Sequence, residues 1–352
     1  MRLLSVLLIL LLCPQAQAQE VLRVLNWKNY IDPQVLADFE QQTQIRVDYQ
    51  TFTAAEELDA ALASSTAYDL IVPSHFQLSR LIRTGQLLPL DMTRLPNRDN
   101  VAPGLLAMLA GVDSANHYAV PYLWGVVGLA IDSQRAEASY GAPLPNSWSL
   151  LFNESQAARL EGCGLSMLDA PEETAALWFN FRGRNLPQYG PRQIERSLQP
   201  LLKIVPHLSA LDNESYIKAL GDRHLCVAMA WAGHALTAAQ RNPDLSFQVP
   251  EEGAVAFIDS LAIPANAERA DLAYRFMDYL LQPEQAIRNA RATFFYSPLK
   301  PELPVHQALA RERPMQVLAT EERRRVYMMQ NLTAEQKQAL DHFWGDLKKA
   351  RP

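Results

Sequence analysis

The sequence predicts an α/β protein of two domains, each built on a mostly parallel β-sheet flanked by helices. Strand and helix signals alternate along the first part of the chain, and this order builds a parallel sheet with covering helices. The chain has 352 residues, more than one hydrophobic core usually supports, so a second domain is expected. Two domains joined by more than one crossing of the chain would leave a cleft between them.

Three strand–helix units open the mature part of the chain. Asp32 is a favourable N-cap and Pro33 a favourable first residue for the first helix. Gly85 is expected just past the end of the third helix. The strands of these units are predicted at VLRVLNW, IRVDYQTF and YDLIVP.

The rest of the chain continues the α/β pattern. A strand-rich run, HYAVPYLWGVVGLAID, is interrupted by Pro121 and Gly125, which suggests a bend where the chain leaves the first domain. A helical, polar middle is predicted at about 147–209, and a buried strand in LCVAMAW then leads into a helix. Two further strands surround a glycine turn, and two C-terminal helical segments follow, the first of them broken at Pro283.

The first 18 residues have the features of a secretory signal. One arginine is followed by an apolar run, Leu3–Leu12, and then by Ala16-Gln17-Ala18, so cleavage is expected after Ala18. The run is too short to cross a bilayer core of roughly 30 Å as a helix. A lipoprotein cleavage site at Cys13 is the less favoured alternative. We therefore expect an exported, soluble protein.

Composition and motifs narrow the class of protein. The formal charge is −6, which disfavours nucleic-acid binding. We find no CxxC, HExxH, G-x-S-x-G or phosphate-loop motif, so neither a metal, a cofactor nor an enzyme active site is expected. Cys163 and Cys226 would remain after cleavage, and an isolated pair in an oxidising compartment indicates a disulfide, with two separate buried thiols as the alternative.

Candidate ligand-binding residues follow the predicted strands, because ligands of open α/β sheets bind at the carboxyl ends of the strands. Trp27 and Tyr30 lie in a strand-to-helix turn, where they are either ligand walls or ordinary core aromatics. Asp259 has the strongest independent case, since an unpaired acid inside an apolar strand is costly. The other candidates are Ser74 and His75, the turn after Trp231, and Phe257.

Eight motifs then point to a known family. In chain order they are NWKNYIDP, YDLIVPS, GQLLPLD, VPYLWG, SMLDAPEE, LCVAMAWAGH, EEGAVAFIDSLAIP and FFYSP. With these motifs the chain resembles the periplasmic polyamine-binding proteins of ABC importers, and most closely their putrescine-binding branch. The resemblance implies a monomeric, periplasmic, two-lobed type II binding protein that closes over its ligand and meets an inner-membrane permease. The N-terminal lobe would comprise residues 19–122 and 252–292, and the C-terminal lobe residues 123–251 and 293–352.

The resemblance also implies a ligand site. An alkyl diammonium suits it, because carboxylates grip charged ends and aromatic faces attract ammonium groups by about 0.5–2 kcal/mol each. Cys163 and Cys226 match a cysteine pair that is bridged in putrescine-binding members. The matching ligand residues are the aromatics Trp27, Tyr30, Trp231, Phe257 and Tyr296, the carboxylates Glu173 and Asp259, and the hydroxyl residue Ser74.

Three positions depart from the family pattern and lie among the expected ligand residues. Asn29 and His234 stand where acids are expected, and Lys28 replaces a small hydroxyl residue. Removing a carboxylate that pairs with a buried ammonium costs about 3–5 kcal/mol. Three interpretations stay open: a polyamine or related amine held mainly by Glu173 and Asp259, an ω-amino acid or other one-ended amine, or a ligand sensor for a membrane receptor.

Overall fold

The computed structural model describes residues 19–64 and 66–350, and its fold is α/β as predicted. The expected signal peptide, residues 1–18, lies outside the described residues. In the described part, no helix combines the length and apolar character needed to cross a membrane.

Strands and helices alternate through the described residues. The strands are β1 Val21–Trp27, β2 Arg46–Phe52, β3 Leu70–Ile71, β4 Ala119–Asp132, β5 Leu165–Met167, β6 Ala210–Leu211, β7 Val227–Trp231, β8 Leu245–Gln248, β9 Ala254–Ala262 and β10 Val326–Met328. The helices are α1 Pro33–Thr43, α2 Ala55–Ala63, α3 His75–Arg83, α4 Pro103–Leu109, α5 Ser133–Tyr140, α6 Ser149–Phe152, α7 Glu154–Leu160, α8 Pro171–Phe181, α9 Pro191–Leu198, α10 Ser215–Gly221, α11 Ala232–Ala239, α12 Ala270–Leu280, α13 Pro283–Thr293, α14 Pro304–Glu312, α15 Thr320–Arg323 and α16 Ala334–Lys349.

Local sequence signals set the ends of the first helices. The Asp32 side chain accepts a hydrogen bond from the Gln34 backbone N–H, and Pro33 is the first residue of α1. Helix α3 ends at Arg83 with Thr84 as its C-cap, and Gly85 follows with a φ of +67°. Only glycine adopts this left-handed conformation without steric cost, so the predicted helix stop is confirmed.

The strands form two sheets that share β4. The order is β2-β1-β3-β9-β4-β7-β5-β6, with β10 beside β9 and β8 beside β4. Pairing is parallel on both flanks and antiparallel around β4 and β9. β4 pairs with β9 up to Val126 and with β7 from Val127 onward. This single strand therefore joins the two sheets and fixes their relative position.

Three details of the second half differ from the sequence-based expectation. The run with Pro121 and Gly125 is one continuous strand, with an irregular register only between Pro121 and Leu123. The helical middle contains the short strand β5. The strands on either side of the Gly253 turn, β8 and β9, each pair with β4 instead of with each other.

The two cysteines form the predicted disulfide. The Cα atoms of Cys163 and Cys226 lie 5.6 Å apart, and both residues are buried. The bond ties the segments that enter β5 and β7, which pair in parallel from Leu165 and Val227. Closing a chain separation of 63 residues stabilises the fold by about 4 kcal/mol in the loop-entropy model.

Candidate ligand-binding site

A cavity of about 430 Å³ lies where the turns after β1 and β7 face each other. It is lined by residues from both sheets, by the turn after β1, and by residues of the helices that follow β3, β5, β6 and β7. The predicted ligand residues that line it are Trp27, Lys28, Asn29, Tyr30, Ser74, Glu173, Trp231, His234, Phe257 and Asp259. The candidates His75 and Tyr296 do not line it, and His75 is fully buried.

Asp259 is held by hydroxyl donors from two other segments. Its carboxylate accepts hydrogen bonds from the Tyr30 hydroxyl at 2.6 Å and from the Ser74 hydroxyl. The residue is 3% exposed, and burial raises the pKa of the carboxyl to about 6, while the two hydroxyl groups act in the opposite direction. A cation in the cavity would stabilise the ionised form of Asp259, which burial alone disfavours.

Glu173 supplies a second buried carboxylate from the first turn of α8. Its side chain accepts a hydrogen bond from the indole N–H of Trp231 at 3.0 Å. Burial raises the pKa of Glu173 to about 7, the Trp231 bond lowers it, and the charge of Asp259 raises it further. The neighbouring Glu172 does not line this cavity and lies 3.6 Å from the Lys337 ammonium. We call Glu173 and Asp259 with their donors the carboxylate end.

Aromatic rings form the walls between the charged groups, and two glycines make room for them. A Cβ at Gly125 would lie 2.5 Å from a ring atom of Phe257. A Cβ at Gly233 would lie 2.7 Å from the ring of Phe295. Real side chains do not tolerate such distances, so both glycines are needed for these rings to reach the cavity.

Tyr296 does not line the cavity, and its neighbour Phe295 does. Tyr296 exchanges backbone hydrogen bonds with Trp124, and the two rings lie 4.8 Å apart in a buried cluster. Successive side chains of an extended segment point to opposite sides. Backbone pairing of Tyr296 with Trp124 therefore turns Phe295 toward the ligand side.

His234 packs against two of these rings. Its ring contacts Trp231 edge-on, at 5.4 Å between centroids, and Phe295 at the same distance. Its Nδ1 lies 2.9 Å from the hydroxyl oxygen of Tyr216. Burial lowers the pKa of His234 to about 4, so the imidazole is neutral near pH 7. We call His234 and Tyr216 the histidine end.

The mouth of the cavity carries paired charges. The Lys28 ammonium lies 2.7 Å from the Glu214 carboxylate, and both side chains are about half exposed. Asn29 is also exposed and has a φ of +58°, a left-handed conformation that asparagine tolerates better than most residues. Lys218 and Arg241 line the cavity as well, and both form ion pairs with Asp222.

Sequence reasoning missed Phe295, Glu214 and Tyr216. Phe295 differs from Tyr296 only by one position in an aromatic run, and no sequence signal says which of the two faces inward. Glu214 and Tyr216 lie at the start of α10, a segment that no predicted strand end precedes. Within the described residues, no group of His, Cys, Asp and Glu side chains is arranged to hold a metal ion.

Comparisons with known proteins agree with this architecture. The model of the bacterial extracellular solute-binding protein family matches residues 34–312. The chain is 36% identical over 313 residues to the putrescine-binding periplasmic protein PotF of Escherichia coli (strain K12), covering 85% of this chain and 83% of that protein. It is 30% identical over 345 residues to the putrescine-binding periplasmic protein SpuD of Pseudomonas aeruginosa (strain UCBPP-PA14), covering 96% and 94%.

A solved structure extends the likeness to the fold. The spermidine/putrescine ABC transporter substrate-binding protein PotD from Streptococcus pneumoniae superposes with a TM-score of 0.76 at 23% identity, covering 95% of this chain and 100% of that one. At this identity the comparison shows the fold alone. The family match over most of the sequence and the 36% identity to a relative together show that this chain belongs to the bacterial extracellular solute-binding protein family.

Proposed function

We propose that this protein captures a small aliphatic amine of the polyamine class, or a close relative of that class, and delivers it to an ABC importer. The observation that carries the proposal is the carboxylate end, where Asp259 and Glu173 are buried beside aromatic rings. Burial raises the pKa of both carboxyls, to about 6 and about 7, so both are costly to ionise without a cation nearby. An ammonium group would remove that cost and form charge-assisted hydrogen bonds.

The aromatic walls fit the rest of such a ligand. Trp27, Trp231, Phe257 and Phe295 present apolar ring faces to the cavity, which suits a chain of methylene groups. Their faces also attract an ammonium, by about 0.5–2 kcal/mol for each cation–π contact. Relatives named for putrescine binding, at 36% and 30% identity, support the same class of ligand.

The proposed delivery requires two lobes that close over the ligand. We assign residues 19–122 and 252–292 to the N-terminal lobe and residues 123–251 and 293–352 to the C-terminal lobe. The sheet order supports this division, because β1, β2, β3 and β9 fall in the first set and β5, β6 and β7 in the second. The change of β4 from β9 to β7 at Val126 and Val127 lies close to the proposed boundary at Tyr122.

The compartment and partners follow from the same proposal. Relatives described as periplasmic support a periplasmic protein that is exported by a signal peptide cleaved after Ala18. Its partner would be an inner-membrane permease, and it would act as a monomer that binds its ligand without chemical change.

Isothermal titration calorimetry tests the ligand class. Ligand-free protein, prepared by unfolding and refolding, is titrated at pH 7.5 with putrescine, cadaverine, spermidine, agmatine and 4-aminobutyrate. We expect at least one of these amines to bind with a Kd in the micromolar range or below. The matched control is 1,4-butanediol, which has the length of putrescine but no ammonium, and we expect no heat from it. Silence for all the amines, or equal binding of the diol, would refute the proposal.

A further inference from the structure

The hydrogen bonds of His234 define which of its ring nitrogens faces the ligand. Nδ1 lies 2.9 Å from the Tyr216 hydroxyl oxygen. Tyr216 itself is 0% exposed. Among the described residues, His234 Nδ1 is the hydrogen-bond partner of this hydroxyl.

This arrangement selects one tautomer of the imidazole. A neutral imidazole has one N–H donor and one acceptor nitrogen. If Nδ1 is the acceptor, the Tyr216 hydroxyl donates its proton to it and is satisfied. The opposite tautomer would leave that buried hydroxyl proton without an acceptor, at a cost of about 1–3 kcal/mol. Nδ1 is therefore the acceptor, and Nε2 carries the hydrogen.

The Nε2–H group is offered to the cavity. His234 lines the cavity and is half-buried. Among the described residues, no protein group forms a hydrogen bond with Nε2. The atom is nevertheless not fully buried. The atom is thus accessible from the cavity, and it presents a donor there.

An ammonium group cannot satisfy this donor, because it too has only donors to offer. The charged groups at the mouth of the cavity offer an ammonium no free partner either. Lys28 is paired with Glu214, and Lys218 and Arg241 are paired with Asp222. The ring of His234 packs against those of Trp231 and Phe295, and among the described residues His234 forms no hydrogen bond with Asp259 or Glu173. One end of the cavity suits an ammonium, and the other suits an oxygen acceptor.

We propose that the preferred ligand is an aliphatic amine with a single ammonium and an oxygen acceptor, carboxylate or amide, at its other end. The ammonium binds between Asp259 and Glu173, and the acceptor takes the hydrogen bond of His234 Nε2–H. This inference rests on the proposed function and narrows its ligand class.

A matched set of four-carbon ligands tests the inference by calorimetry. 4-Aminobutyrate has a carboxylate at the far end, N-acetylputrescine an amide, putrescine an ammonium and butylamine no polar group. We expect one or both acceptor ligands to bind at least tenfold more tightly than putrescine and butylamine. Binding of 4-aminobutyrate alone would identify the acceptor as a carboxylate, whereas comparable binding of N-acetylputrescine would identify a neutral acceptor. Putrescine as the tightest ligand would overturn the inference and leave the proposed function standing. Failure of all four, together with the longer amines, would overturn both.

A charge reversal at the histidine end tests the role of His234 directly. We expect His234→Asp to raise the affinity for putrescine relative to 4-aminobutyrate by at least tenfold. His342→Asp, on α16 with its side chain 72% exposed, makes the same change away from the cavity and should leave the ratio at its original value. An unchanged ratio in His234→Asp would overturn the inference.

The tautomer can be measured without any substitution. In long-range ¹H–¹⁵N spectra of the ligand-free protein, we expect His234 Nδ1 to have the shift of an unprotonated acceptor and Nε2 that of a protonated nitrogen. The reverse assignment would overturn the inference even if His234→Asp failed to fold.

Discussion

The carboxylate end and the histidine end of the cavity both consist of a buried titratable group that is hydrogen-bonded to hydroxyl groups. Burial has opposite effects on the pKa values at the two ends. At the carboxylate end, Asp259 receives two hydroxyl donors and still keeps a pKa of about 6, because burial outweighs those bonds. At the histidine end, His234 receives one hydroxyl donor and burial lowers its pKa to about 4. Burial therefore makes a cation favourable beside the two carboxylates, and it keeps His234 uncharged.

Under the proposed assignment, the site takes a different ligand without a change of fold. The walls of Trp27, Trp231 and Phe257 match the polyamine-binding pattern, and so do the two carboxylates. The departures from that pattern are Lys28 and Asn29 in the turn after β1, and His234 in α11. In this proposal Asp259 and Glu173 still bind an amine, and His234 changes which group of the ligand binds at the other end.

The largest expected effect is the loss of Asp259. We expect Asp259→Asn to weaken amine binding 100-fold or more, since unpairing a buried ammonium costs about 3–5 kcal/mol and each tenfold step is about 1.4 kcal/mol. Asp244→Asn, at a half-exposed acid outside the cavity, is the control and should retain wild-type affinity. Calorimetry with the tightest-binding amine gives the comparison, and a loss below tenfold in Asp259→Asn would contradict a carboxylate end centred on this residue.

Glu173→Gln should change affinity and stability in opposite directions. We expect amine binding to weaken by roughly 30-fold, for a loss of about 2 kcal/mol. The free energy of unfolding of the ligand-free protein should rise by up to about 3 kcal/mol at pH 8, because the variant no longer buries a carboxylate whose pKa is raised from 4.5 to about 7. Denaturant titration measures the second effect.

The neighbouring acid gives a matched control for that variant. Glu172→Gln removes a carboxylate from the same helical turn, but one that pairs with Lys337 outside the cavity. Its affinity for amines should stay at the wild-type value. If Glu172→Gln weakened binding as much as Glu173→Gln, the effect would belong to the helix and not to the ligand contact.

Acidification should weaken binding through the carboxylate end alone. As the pH falls from 8 to 5, Glu173 and Asp259 protonate near pH 7 and pH 6, and the ammonium loses its partners. We expect affinity to fall by up to about 1,000-fold, because pH 5 lies about two units below the pKa of Glu173 and about one unit below that of Asp259. His234, with a pKa of about 4, stays neutral over this range. A loss of affinity centred below pH 5 would instead indicate the histidine.

The stability of the ligand-free protein should respond to pH with the opposite sign. Both carboxyls have pKa values raised on folding, so their contribution to stability is complete below about pH 4 and is lost as the pH rises through 6 and 7. Thermal melts with and without amine, at pH 5 and pH 8, should therefore show a larger ligand-induced rise in Tm at pH 8.

The smallest effect is expected at the mouth of the cavity. Lys28→Met removes an exposed ion pair with Glu214, and such pairs contribute about 0–1 kcal/mol. The released Glu214 carboxylate should raise putrescine affinity by at most about fivefold. Titration of putrescine and 4-aminobutyrate into this variant measures the change, and a fall in putrescine affinity would show that Lys28 does not oppose a second ammonium.

The sequence by itself predicted the fold class, the strand–helix units of the first sheet and many of the residues that line the cavity. Short-range chemistry explains this success: Asp32 and Pro33 start a helix, Gly85 follows one, and an acid such as Asp259 inside an apolar strand needs a partner. The motif pattern also selected Glu173 over Glu172, a choice that helix propensity alone could not make.

Only the tertiary structure decided how the strands pair and what faces the cavity. The antiparallel pairing of β4 with β9 and β7 depends on contacts between distant segments, which local patterns do not encode. The inward position of Phe295 depends on the pairing of Tyr296 with Trp124. The protonated nitrogen of His234 depends on Tyr216, which lies 18 positions away in sequence and reaches it only because α10 and α11 pack together. The residue type at each position is given by the sequence. The orientation of the side chain and the atom that carries its proton depend on neighbours that folding brings into contact.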